Sequence, residues 1–181
     1  MVRTRVGYAG GTTKNPTYHN LGDHTETIQI DYDPTQISYK ELLDVFWDSH
    51  NPAQPSWSRQ YMSIVFYHND EQKKLAMETR DREAARINGE ILTEIVPASE
   101  FYLAEAYHQK YRLQQVPDLM EEFRVMYPDD EDLVDSTAAA RVNGYLGSYG
   151  TFEALQAETS GLGLSPAGSH RLLDIVRALD R

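Results

Sequence analysis

The side chain best suited to covalent redox chemistry is missing from this sequence: none of its 181 residues is cysteine. That excludes disulfides, thiolate metal sites and every thiol-based redox step carried out by this chain alone. Carboxylates, tyrosines and six histidines remain for chemistry. His19, His24, His50, His68, His108 and His170 show no metal-ligand spacing. His19 and His24 share a loop with Asp23, but no third ligand follows at a fixed offset, so no metal or other cofactor is expected. The acidic run Asp129-Asp130-Glu131-Asp132 lacks the alternating Asp/Asn and central glycine of a calcium loop, and reads as a solvated linker or a helix entry. Glu26 opens a strand pattern, and its spacing alone describes a solvent-facing carboxylate. Tyr18 and Tyr61, by type alone, are packing tyrosines that bury a ring and satisfy a hydroxyl. Trp57 sits in a polar loop, where it could line a pocket.

The chain that must position these groups is long enough for one domain with a real core, or for a domain plus an extension. Its hydrophobic content of 40% suits a globular protein. No apolar run long enough for a membrane helix occurs. The net charge of −11 disfavours nucleic acid and anionic lipid as partners, since both need clustered Lys and Arg. From Pro117 onward 12 acidic residues face 5 basic ones, a local charge of −7. The segment Met1-Val2-Arg3-Thr4-Arg5 has neither an apolar signal core nor a small-residue cleavage site. A cytoplasmic location is therefore expected, and a mitochondrial one would require a longer precursor.

Hydrophobic periodicity sets the elements. Val2, Thr4, Val6 and Tyr8 alternate with polar residues as a half-buried strand stopped by Gly10-Gly11. Residues 12–23 read as a loop and residues 25–32 as a second strand. Ser38 and Glu41 form a capping box for a helix whose apolar stripe is Leu42, Leu43, Val45, Phe46 and Trp47. That helix ends before Asn51-Pro52. A strand over 61–68, a charged helix over 70–88 ended by Gly89, a strand over 91–96 and a short helix over 103–115 follow. Trp47 and Phe46 are expected in the core, and Tyr8 in the sheet. Pro117 marks a linker, after which come a Gly/Tyr turn over 143–150 and helices over 152–158 and 169–179. The fold class is α+β: a small mixed or antiparallel sheet covered by helices, with an acidic, mostly helical C-terminal extension. The domains divide as 1–115 and 116–181.

Several segments, in order, carry a resemblance to a known family. They are Val6-Gly7-Tyr8-Ala9-Gly10-Gly11, Asn15-Pro16-Thr17-Tyr18, His24-Thr25-Glu26 and Tyr32-Asp33-Pro34, then Ile37-Ser38-Tyr39 leading into Val45-Phe46-Trp47. His50-Asn51-Pro52-Ala53-Gln54, Gln60-Tyr61-Met62-Ser63, Thr93-Glu94-Ile95, Phe101-Tyr102-Leu103-Ala104-Glu105 and His108-Gln109-Lys110-Tyr111 continue the series. Together they resemble peptide-methionine sulfoxide reductase A, which implies a ferredoxin-like core and thiol-dependent reduction of methionine-S-sulfoxide in proteins. In that chemistry a cysteine thiolate attacks the sulfoxide sulfur and becomes a sulfenic acid. A second thiol resolves it to a disulfide, re-reduced by thioredoxin or another thiol. By the resemblance, Glu26 matches the acid that protonates the sulfoxide oxygen, held protonated by burial. Tyr18 and Tyr61 match the tyrosines that hydrogen-bond that oxygen.

The departures matter as much. The family's Gly-Cys-Phe-Trp segment precedes the Val-Gly-Tyr-Ala-Gly-Gly strand, and only six residues precede Gly7 here. The expectation is a chain lacking the nucleophile, its strand and any resolving cysteine, and so inactive as it stands. The alternatives are a pseudoenzyme binding methionine sulfoxide or a protein partner without turnover, and a structural fragment with no small-molecule site. Without that strand, sheet edges and apolar surface should lie exposed unless the extension covers them. Tyr145-Leu146-Gly147-Ser148-Tyr149-Gly150 resembles the family's Gly-rich C-terminal segment, or else is an ordinary turn before a helix. His108 and Tyr111, one helical turn apart, are expected to share a face for a structural hydrogen bond.

Overall fold

A computed structural model describes residues 2–180. The chain divides into two compact units, Val6–Ala104 and a second made of the residues up to Arg5 together with those from Glu105 onward.

The strands β1 (Arg3–Ala9) and β2 (Thr25–Asp31) belong to a three-stranded sheet ordered β2-β1-β5, where β5 is Tyr102–Leu103. β5 pairs antiparallel with β1, Gly7 opposite Leu103 and Tyr8 opposite Tyr102. Gly7 is glycine for a packing reason, since a Cβ there would strike the Tyr102 carbonyl and the Phe101 ring. Gly10 turns the chain out of β1 with φ of +82°, a conformation that favours glycine. Tyr8 is buried with Leu21 and Ala104 beneath this sheet.

The helix α1 (Tyr39–Asp48) begins as its sequence dictates. The Ser38 hydroxyl accepts the Glu41 N–H at 3.2 Å, and the Glu41 carboxylate accepts the Ser38 N–H at 2.7 Å. Of its apolar stripe, Leu43 and Trp47 are buried while Val45 faces solvent. They pack with Val65 of β3 (Ile64–Tyr67) and Ala76 of α2 (Asp70–Ile87). β3 pairs in parallel with β4 (Glu94–Pro97), from Ile64 opposite Glu94 to Tyr67 opposite Pro97. The helix α2 ends on Asn88, not on Gly89: Asn88 takes the left-handed conformation at φ of 50°, a role asparagine fills because its short polar side chain tolerates it. On its buried strip, Arg86 and Arg82 lie within 2.5 and 2.9 Å of Glu83 and hold that carboxyl below its ordinary pKa.

The second unit is helical: α3 (Tyr111–Gln114), α4 (Pro117–Met126), α5 (Asp130–Asp135), α6 (Thr137–Leu146), α7 (Phe152–Glu158) and α8 (Pro166–Leu179). Leu113, Leu119, Phe123, Val142, Leu155 and Leu172 are fully buried in one core. Ser136, Thr151 and Ser165 each cap the following helix through the side-chain oxygen. Lys110 is 5% exposed, and its Nζ donates to the carbonyls of Thr4 at 2.5 Å and Val134 at 2.7 Å. Burial pushes its pKa down to about 8; Asp135 opposes that shift and Arg5 adds to it.

The α+β class holds, with the strands in two small sheets instead of one. The helix expected over 103–115 shrinks to α3 at its C-terminal end. Leu103 is consumed by the pairing with Gly7, a 3-10 turn covers Ala106–His108, and Lys110 at φ of 49° breaks the path before α3. His108 and Tyr111 therefore do not share a helix face, and the His108 ring lies 4.2 Å from that of Tyr107. Pro117 starts α4 instead of marking a linker, because proline fits the first helical position. Asn143 and Gly144 continue α6, so the turn begins only at Gly147. No described helix is long and apolar enough to cross a membrane.

Candidate functional site

Glu26, Tyr18 and Tyr61 come from three separate stretches, and the first unit brings them to one corner. Glu26 is the second residue of β2 and is exposed. Its Oε1 accepts the Gln60 amide at 2.6 Å. Gln60 and Tyr61 belong to a 3-10 turn, Arg59–Tyr61, that is locked to β2 by the buried Thr25 hydroxyl donating to the Arg59 carbonyl at 2.9 Å. Arg59 is held from its other side by Glu94 of β4 at 3.0 Å. A hydrogen bond to Tyr18 pushes the Tyr61 hydroxyl above its ordinary pKa, with the Glu26 charge adding a smaller push in the same direction. The Trp57 ring, 82% exposed, leans on Tyr61 with centroids 4.7 Å apart.

The loop carrying Tyr18 is braced by side chains. The Asp23 carboxylate accepts the backbone N–H of Thr12 at 2.8 Å and of Thr13 at 3.0 Å, and both hydroxyls at 2.9 Å. The N–H groups of Thr13 and Thr12 hold this carboxyl far below the usual carboxylate range. His24 is buried. Its Nδ1 accepts the Gly11 N–H at 3.3 Å and its Nε2 meets the Thr13 carbonyl at 2.8 Å, so the proton sits on Nε2. His24 thus braces the loop, and no spacing pattern in the sequence distinguishes that role from a ligand's. Among the described residues no group of three or more His, Asp or Glu stands placed for a metal ion.

This corner offers one carboxyl, one carboxamide and two phenols converging from two sides, next to an exposed indole. Such a set can grip and protonate a small polar oxygen while an apolar group lies against the aromatic ring. Two features depart from expectation. Glu26 lies open to solvent, whereas burial is what would hold such an acid protonated. Gln60, beside Tyr61 in the sequence, holds the carboxylate directly, a contact its position alone did not announce. The Tyr145 ring is buried and its hydroxyl reaches Glu158 at 2.6 Å, so Tyr145 ties α6 to α7.

The family described as peptide methionine sulfoxide reductase matches residues 1–140, and the helical domain of selenoprotein methionine sulfoxide reductase A matches residues 128–175. The chain is 46% identical over 168 residues to a peptide methionine sulfoxide reductase of Drosophila melanogaster, covering 92% of this chain and 67% of that one. It is 43% identical over 151 residues to peptide methionine sulfoxide reductase A5 of Arabidopsis thaliana, spanning 80% of this chain and 59% of that protein. The solved methionine sulfoxide reductase A of Corynebacterium diphtheriae superposes with a TM-score of 0.54 at 34% identity, over 64% of each chain. With more than half of its length matched by the first family and its fold shared with a solved member, the chain belongs to the peptide methionine sulfoxide reductase A family.

Proposed function

We propose that this chain contributes the acid and oxygen-binding half of a methionine-S-sulfoxide reductase site. Glu26 donates a proton to the sulfoxide oxygen, Tyr18 and Tyr61 hydrogen-bond that oxygen, and the substrate is a peptide or protein bearing the oxidised methionine. In the reaction a thiolate attacks the sulfoxide sulfur while Glu26 protonates the oxygen; the oxygen then passes as hydroxyl to the thiol sulfur, the S–O bond and the new sulfur–sulfur bond break, and sulfenic acid and the methionine thioether result. A second thiol condenses with the sulfenic acid, releasing water and forming a disulfide for thioredoxin or another dithiol to reduce. This chain holds no cysteine. Hydroxyl oxygen cannot stand in for sulfur in that step, so turnover needs a thiol that these 181 residues do not supply. A reducing compartment such as the cytoplasm suits the chemistry.

The observation that carries the reading is the corner itself: Glu26 held by Gln60, with Tyr61 bonded to Tyr18, inside a span matched by the family. The same corner beside a missing thiol supports binding without catalysis as the activity of this polypeptide. The test has two arms. With dithiothreitol as reductant, turnover of a methionine-S-sulfoxide peptide should fall about a million-fold below a cysteine-bearing reductase. Binding of that peptide should be measurable and should weaken about tenfold or more in Glu26→Gln. Thiol-dependent turnover by this chain would refute the inactivity. Equal binding by Glu26→Gln would remove Glu26 from the site.

A further inference from the structure

Met62 closes the 3-10 turn Arg59–Tyr61, its N–H donating to the Arg59 carbonyl at 3.2 Å. Its side chain meets the same arginine. The Arg59 Nη1 donates to the Met62 thioether sulfur at 3.2 Å. That one nitrogen also serves both carboxylate oxygens of Glu94, at 3.2 and 3.0 Å. Its N–H groups are thus divided among three acceptors, of which the thioether is by far the weakest. Among the described residues, no other methionine sulfur accepts a hydrogen bond. Met62 is half-buried, and it lines an open cavity of about 430 Å³. The wall of this cavity comes from residues 52–63 and 92–93 alone, with Pro52, Trp57, Arg59 and Leu92 among them. A water molecule's share of liquid volume is about 30 Å³, and hydrogen peroxide is little larger, so a small hydroperoxide enters freely.

We propose that Met62 is an oxidation site for hydroperoxides, and that its sulfoxide draws Arg59 away from Glu94. In the step, a sulfur lone pair attacks the terminal oxygen of the peroxide. The S–O bond forms as the O–O bond breaks, and the proton of the attacked oxygen passes to the leaving oxygen, which departs as water or an alcohol. Methionine loses two electrons and the peroxide gains them. A flexible apolar side chain becomes a polar one.

The response of Arg59 follows from acceptor strength. A sulfoxide oxygen carries substantial negative charge, so its hydrogen bond to a guanidinium is charge-assisted, unlike the contact with a thioether. At a half-buried position an oxygen left without a donor is costly. The new oxygen is bonded to an atom already 3.2 Å from Nη1, so Arg59 meets it at once. Glu94 is a poor rival. The two side chains of that pair are 37% and 39% exposed, and both carboxylate oxygens lean on one nitrogen instead of the two-nitrogen fork. Arg59 precedes Gln60, and its carbonyl takes the Thr25 hydroxyl. Oxidation therefore releases the side-chain tie of this turn to β4 and keeps its backbone tie to β2.

The test treats the full chain with dilute hydrogen peroxide. Peptide mapping follows each methionine, and NMR follows the Arg59 guanidinium nitrogens and the Glu94 side-chain carboxyl carbon. No sulfoxide ligand is added, so the result stands apart from the binding reading above. Met77, 39% exposed on α2, is the internal standard. Met62 should convert within about tenfold of its rate. As Met62 converts, the Glu94 signal should move to the position it holds in Arg59→Ala, and the Arg59 signals should shift with it. Met62→Leu should show neither movement under peroxide. Met62→Gln, whose amide oxygen stands in for the sulfoxide, should show both without peroxide. The proposal is overturned if Met62 lags Met77 by more than that factor, if Glu94 keeps its position as Met62 converts, or if Met62→Leu responds like the parent. Should the oxidised chain unfold, Met62→Gln decides: a moved Glu94 signal sustains the proposal, and an unmoved one overturns it.

Discussion

Asp23 and Lys110 are the ionisable residues whose surroundings change them most visibly, and each makes the fold sensitive to pH in its own window. Asp23 is acceptor for two backbone N–H groups and two hydroxyls, so its folded pKa is depressed. Its stabilisation is complete above the ordinary carboxylate range and is lost only as pH falls far below it. Lys110 is a depressed base: below about 8 the fold must hold its buried charge, while the unfolded chain releases that proton only near 10.5. The folded state therefore binds fewer protons between those values, and stability should rise with pH across that window, by at most about 3 kcal/mol. Urea midpoints at the two ends of the window, compared with Lys110→Met, would show it: the variant's midpoints should change less by that increment. Neither role could be read from the sequence. Asp23 and His24 stood in the sequence as polar residues of a loop and its end, His24 within a resemblance segment, but their bracing role depends on the N–H groups of Thr12, Thr13 and Gly11 and the threonine hydroxyls, whose direction the sequence does not encode. Glu26, Tyr18 and Tyr61 were legible through motif resemblance, whereas the hold of Gln60 on Glu26 depends on two elements meeting 34 positions apart.

Elements set by local chemistry were the readable ones. The Ser38–Glu41 capping box sits four residues wide in the sequence and forms as written. Ser38→Ala should cost about 1 kcal/mol, seen as a lower urea midpoint with unchanged slope. Elements decided by distant partners were not readable. β5 exists because Tyr102 and Leu103 find β1, and the Lys110 kink is held by bonds to Thr4 and Val134. The end of α2 lay one residue earlier than the glycine suggested. Asn88→Gly should be neutral within about 1 kcal/mol, while Asn88→Val should cost about 1–2 kcal/mol from a β-branched residue forced left-handed. Ile28 of β2, a strand at the end of the order β2-β1-β5, is 55% exposed.

Over the whole molecule, acidic surface and apolar core separate cleanly in the helical unit, whose residues from Pro117 onward carry −7. Of its helices, α7 and α8 match those expected over 152–158 and 169–179, whereas α4 and α6 occupy stretches read as a linker and a turn; their packing around Phe123 was not legible, since nothing in a stripe names its partner. Phe123→Ala should destabilise this unit by about 3–5 kcal/mol, read as loss of helical circular dichroism at lower urea concentration. The two tryptophans of the chain were placed correctly by type, one in a helix stripe and one in a loop. Trp47 is 0% exposed and Trp57 82%, and the latter leans on Tyr61. The molecule therefore carries two separable fluorophores. A water-soluble quencher such as iodide should extinguish the red-shifted emission of Trp57 and leave the blue emission of Trp47. Anything that settles over Tyr61 should shield only the first, giving a label-free optical signal of occupancy at that corner.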